Sequence, residues 1–155
     1  MLLGDTIDWA IVAIGAIMVA LVFLNVLLHL VNKDLAWLTE LGELLMVWVT
    51  FLGGAAAARR GAHMAITEFI DQLGAKRRIA DLLITAASAL VLLLLAWYGG
   101  VITLAGWSNR LTVLDWPMSL QYLALPVGAL ATLVYVVWDG VQIARGKTRQ
   151  ERFGV

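Results

Sequence analysis

Few residues in this sequence could carry chemistry, and they are scattered along the chain. Three carboxylates, Glu43, Asp81 and Asp139, lie inside or at the edge of long apolar runs; the imidazoles are His29 and His63; two guanidiniums stand together at Arg59 and Arg60. Ionisable groups within hydrocarbon are costly, so they mark proton relays, ion sites or polar contacts between helices. Glu43 is the deepest of the acids, two or three residues from one end of its run. It could hold a proton or cation, reach water, pair with His29, or make a polar contact between helices or subunits, and the polar contact is the favoured role. Asp81 and Asp139 stand close to Arg77, Arg78 and Arg145, and local ion pairing accounts for them. His29 and His63 fall at opposite ends of their runs, so about 30 Å of hydrocarbon separates them and they cannot ligate one haem or metal.

Nothing else in the chain suggests a reaction. There is no cysteine, which excludes disulfides, thiolate metal sites, iron–sulfur clusters and a thiol nucleophile. No Ser/His/Asp set, phosphate-cradling glycine loop or metal-spaced cluster is present, so no catalytic residue, cofactor or metal is expected. With 62% apolar and 14% charged residues and a mean hydropathy of +0.89, the chain has a membrane composition. Its 11 basic and 11 acidic residues cancel, leaving no basic field for nucleic acid.

The elements that must position these groups are apolar runs long enough to cross a bilayer, about 20 residues each. Four qualify, over residues 9–31, 41–58, 79–106 and 120–144 of a single membrane domain. They lack the alternation of barrel strands, so an all-α fold of four transmembrane helices is expected. The first run is too long for a signal-peptide core, has no Lys or Arg before it and no A-x-A site after it, and reads as a permanent helix. Arg59, Arg60, Lys76, Arg77 and Arg78 flank one loop and Arg145, Lys147, Arg149 and Arg152 the tail, against only Lys33 and Arg110 on the other side. The positive-inside rule then puts both termini in the cytoplasm. Trp9 and Trp138 fall at inner ends and Trp37, Trp107 and Trp116 at outer ends, as an aromatic belt requires.

Between the second and third spans, residues 62–75 carry Ile66, Phe69, Ile70 and Leu73 at i, i+3, i+4 and i+7. This spacing predicts an amphipathic helix in the inner interface, its stripe turned to lipid or a neighbour, with a solvated loop helix as the alternative. Pro117 suits the first turn of the fourth span, and Pro126 inside it removes a backbone hydrogen bond and predicts a kink. Helices in lipid associate through small residues, so Gly53-Gly54 and the four alanines after them predict close packing at the inner half of the second span, within the chain or against another subunit.

The stretch from Glu43 through Trp48, Phe51-Leu52-Gly53-Gly54 and Arg59-Arg60-Gly61-Ala62-His63, followed by an acidic amphipathic segment ending at Leu73, resembles the DctQ family. These are small membrane subunits of tripartite ATP-independent periplasmic (TRAP) transporters. The resemblance is specific over about residues 40–73, and the four-span plan matches over nearly the whole chain. It implies a multi-pass protein of the bacterial or archaeal inner membrane. The expected partners are a large polytopic subunit, which carries the substrate and sodium sites, and a periplasmic binding protein, which delivers a carboxylate or sulfonate. The small subunit would brace the large one and take no catalytic part. Glu43, Trp48, Gly53, Arg59, Gly61 and His63 match the family's recurrent positions. With Gly54 and Arg60 they are the candidate contacts to a partner subunit or to anionic phospholipid, which an arginine fork can grip in bidentate fashion.

Two other classes stay open at this point. A small self-sufficient multidrug exporter also has four helices, but it needs a carboxylate near the centre of its first span, and residues 9–31 contain none. A membrane assembly factor would fit the hydropathy equally well.

Overall fold

The computed structural model describes residues 2–31, 33, 35–60 and 77–146. Among them are four helices long and apolar enough to cross a membrane. These are α1 (Leu2–His29), α2 (Ala36–Arg59), α3 (Arg77–Ala105) and α4, which comes in two pieces, Ser119–Tyr122 and Ala124–Ala144. The amphipathic segment at 62–75 lies outside the described residues, as do Gly61, His63 and the basic tail beyond Gly146.

The helices run past the apolar windows at several ends, for a physical reason. Residues 2–8 contain Gly4, Asp5, Thr6 and Asp8, too polar to count as a span, yet acids suit the positive end of a helix dipole and α1 therefore starts at Leu2. Glu40 ends the apolar window of α2 in the same way, while the helix itself begins at Ala36. At α4 the first turn forms behind Pro117, whose carbonyl accepts from Leu120 N at 3.1 Å. Regular α-helix then begins at Ser119. The interruption at Leu123 lies three residues before Pro126, which has no N–H to offer the carbonyl of Tyr122. Gly146, at φ +79°, ends α4 in the left-handed conformation that glycine adopts without penalty, its N–H on the Ile143 carbonyl at 2.9 Å.

Packing runs α1 on α2, α2 on α4 and α4 on α3. The spans therefore form an open row with α2 and α4 in the middle, not a closed bundle. Its small core lies where α1, α2 and α4 meet: Ile7, Ala55 and Ala56 are buried and Ile11, Leu52, Ala131 and Tyr135 pack around them. Ala55 is wholly inaccessible. In hydrocarbon, large apolar side chains on the outside are no defect, and α1 and α3 display Val19, Phe23, Leu83, Leu90 and Leu104 outward.

The close helix approaches are not made by the glycine pair. A Cβ on Gly53 or Gly54 would meet nothing within 4 Å, whereas one on Gly128 would stand 2.5 Å from Phe51 Cβ and 3.0 Å from the Phe51 carbonyl oxygen. The α2–α4 contact is thus set by Gly128, and the buried small surface of α2 is alanine: Ala55, Ala56 and Ala58. At the α3–α4 contact a Cβ on Gly99 would lie 3.0 Å from Leu125 and Pro126, and one on Gly140 2.9 Å from Thr85.

Candidate functional site

At one end of the row, α1 and α2 are clasped by charge. Arg59, in the last turn of α2, donates to Asp8 Oδ2 of α1 and lies 3.6 Å from Asp5 Oδ1. Arg60 reaches the same Asp8 oxygen at 3.4 Å. Gly4, one turn before Asp8, leaves the room that the Arg59 guanidinium fills. The Arg59 and Asp8 side chains are only 28% and 29% exposed, while Arg60 is 66% exposed. Of the two cations, Arg59 is the one committed inside the chain and Arg60 the one that faces outward.

At the other end a loop is latched by Glu40. Its carboxylate accepts from the backbone N–H groups of Val113, at 3.0 Å to each oxygen, and of Leu114, at 2.8 Å. The loop is itself a tight ribbon. Leu111 N donates to the Trp116 carbonyl at 2.8 Å and Met118 N to that of Asn109 at 2.9 Å, while Asp115 turns the chain at φ 53°. Arg110 Nη1 adds a bond to the Asp115 carbonyl at 3.0 Å. Behind the loop, fully buried Ser119 donates to the Thr103 carbonyl at 2.5 Å, tying α4 to α3, while the Thr103 hydroxyl turns back onto the Gly99 carbonyl of its own helix at 2.7 Å.

The candidate residues fall into separate places. Trp48 turns inward and donates its indole N–H to the Leu120 carbonyl at 3.0 Å. Glu43 is exposed one turn inward of Glu40, and no hydrogen bond or ion pair among the described residues involves it; the pairing with His29 is therefore not made. Asp139 is buried on α4, and Arg78 donates to the Ala144 carbonyl at the end of the helix. Gly61, His63, Ile66, Phe69, Ile70 and Leu73 lie outside the described residues. Among the described residues no three His, Cys, Asp or Glu side chains gather as a metal site.

Two contacts were not foreseen from sequence. The Asp8–Arg59 clasp left a signal, because the charge-bias topology puts both residues at the same membrane face. The Glu40 latch left none: its partners are main-chain amides 73 and 74 residues away, invisible to residue type.

The comparisons with known proteins agree on one family. The family model for the DctQ component of tripartite ATP-independent periplasmic transporters matches residues 18–146. The C4-dicarboxylate TRAP transporter small permease protein DctQ of Rhodobacter capsulatus is 37% identical over 99 residues, covering 62% of this chain and 44% of that one. The ectoine TRAP transporter small permease protein TeaB of Halomonas elongata is 27% identical over 149 residues, covering 88% of this chain and 77% of that one. This chain thus matches less than half the length of the Rhodobacter relative and about three-quarters of the Halomonas one. With four membrane-spanning helices and a family match over most of its length, the chain belongs to the DctQ family, the small permease component of TRAP transporters.

Proposed function

We propose that this subunit braces a large transport subunit in the inner membrane and takes no part in the transport chemistry. The system would import a carboxylate- or sulfonate-type solute, delivered by a periplasmic binding protein, with sodium. The observation that carries this reading is the division of the polar groups. Arg59, Asp8, Glu40, Trp48 and Ser119 all hold one helix or loop to another. Carriers build substrate and ion sites from broken helices at the bilayer midplane, and the one span interruption among the described residues, at Leu123, is flanked by Tyr122 and Ala124 near the outer end of its span. An open row of helices, rigidly latched at both ends, suits a scaffold.

Both termini are proposed to face the cytoplasm, on the charge bias of the loops. Residues 62–75 are proposed to lie in the inner interface against anionic phospholipid, with Arg60, on the exposed side of the clasp, as a further lipid contact.

Proteoliposomes test the reading, with labelled succinate and ectoine as probes because relatives are named for a C4-dicarboxylate and for ectoine. Under an inward sodium gradient this chain alone should accumulate neither. Accumulation of a probe should need this chain, the large permease protein and the loaded binding protein together, and a sodium ionophore should abolish it. Uptake by this chain alone would make it a self-sufficient transporter, and full uptake without it would remove the bracing role.

A further inference from the structure

The outward surface of this chain is of two kinds. On α1 and α3 it is built of large apolar side chains, among them Val19, Phe23, Leu83 and Leu90. On α2 one face differs. Thr39, Glu43, Met46, Thr50, Gly53 and Ala57 follow one another at helical steps of four and three, the first four exposed and the last two half-exposed. Met46 is the one large apolar side chain on it. Gly53 leaves open space where a side chain would stand. The Thr50 hydroxyl is turned back onto the Met46 carbonyl at 2.8 Å, which smooths the face further. The Glu43 carboxylate, one turn inward of Glu40, has no partner among the described residues. Surfaces that meet lipid gain nothing from a carboxylate or from missing bulk, whereas helix–helix contacts in membranes are made of small residues with polar groups as glue.

We propose that this face of α2 is the contact surface for the large transport subunit. Its occupant is one membrane-spanning helix of that subunit, with a smooth face opposite Gly53 and a hydrogen-bond donor or basic side chain at the depth of Glu43. The proposal rests on the bracing role argued above and adds the place and chemistry of the contact. Helix α2 is flanked by α1 and α4, so a partner seated here would press on the middle of the row.

The test is co-purification of the co-expressed large permease protein through a tag on this chain, for wild type, Gly53→Leu and Glu43→Leu, with Val22→Ala as a lipid-facing control. A Cβ on Gly53 would meet nothing within 4 Å and the Glu43 carboxylate makes no hydrogen bond or ion pair among the described residues, so thermal melts of the subunit alone should match wild type. Recovery of the large subunit should fall at least ten-fold for both variants and stay unchanged for Val22→Ala. Equal recovery by both variants would overturn the assignment of this face and leave the bracing role standing. If wild type itself recovers no large subunit, both fall. Should either variant melt differently, a photo-reactive side chain placed at Met46 decides: cross-links to the large subunit support the proposal. Cross-links to lipid alone, or to a second copy of this chain, overturn it.

Discussion

Arg59 and Arg60 are adjacent and identical in type, yet the structure gives them different work. Truncating Arg59 leaves the Asp8 carboxylate half-buried without its main partner, and Arg59→Ala is expected to cost about 1–3 kcal/mol of stability. Arg60→Ala should cost little, since an exposed pair contributes at most about 1 kcal/mol. A charge exchange, Arg59→Asp with Asp8→Arg, should recover part of the loss that each single change produces. Thermal melts of the wild type and these five variants in detergent check this, and equal behaviour of Arg59→Ala and Arg60→Ala would contradict it. The glycines divide in the same manner. Gly128→Ala forces a methyl against Phe51, for about 1–3 kcal/mol of overpacking, whereas Gly53→Ala fills open space and should be neutral or slightly stabilising. The sequence displayed both glycines but did not tell them apart. Gly53 sits in a run of small residues, while the glycine that determines the contact stands alone among larger neighbours on α4.

The elements themselves were legible, because a run of about 20 apolar residues has few alternatives in a bilayer. Four helices long and apolar enough to cross a membrane appear, as hydropathy predicts, and Pro126 comes with the interruption in α4. Helix ends were not legible. The polar residues that extend α1 to Leu2 and α2 to Ala36 lower the local hydropathy, yet they are helical because they have work at the interface. The loop at 109–118 belongs to the same class, since its order depends on a carboxylate from another helix. Glu40→Ala removes the acceptor for both the Val113 and Leu114 amides, so hydrogen exchange at these two positions should quicken at least ten-fold, with Glu40→Gln in between. Unchanged protection in Glu40→Ala would show that the ribbon holds itself. At 62–75 the amphipathic pattern predicts depth: a cysteine at Leu73, in a chain with no native cysteine, should react with an aqueous maleimide far more slowly than one at Arg149. Equal rates would mean a solvated helix.

At the scale of the whole molecule, the open row explains why so little of the described chain is buried and why polar groups such as Arg59, Glu40 and Ser119 join its elements. A closed bundle could enclose a site; a row presents faces. The topology of the row was not legible in the sequence, because hydropathy counts spans without saying which of them touch. The order α1–α2–α4–α3 depends on single close approaches such as Gly128 on Phe51 and Gly140 on Thr85. The central claim, that this row exists to hold a larger transport subunit, is tested most directly by native mass spectrometry of the complex purified through a tag on this chain after co-expression with the large permease protein. The account predicts a stable species containing one 16.9 kDa chain and one large permease protein. A spectrum with only this chain, alone or in multiples of itself, would contradict it.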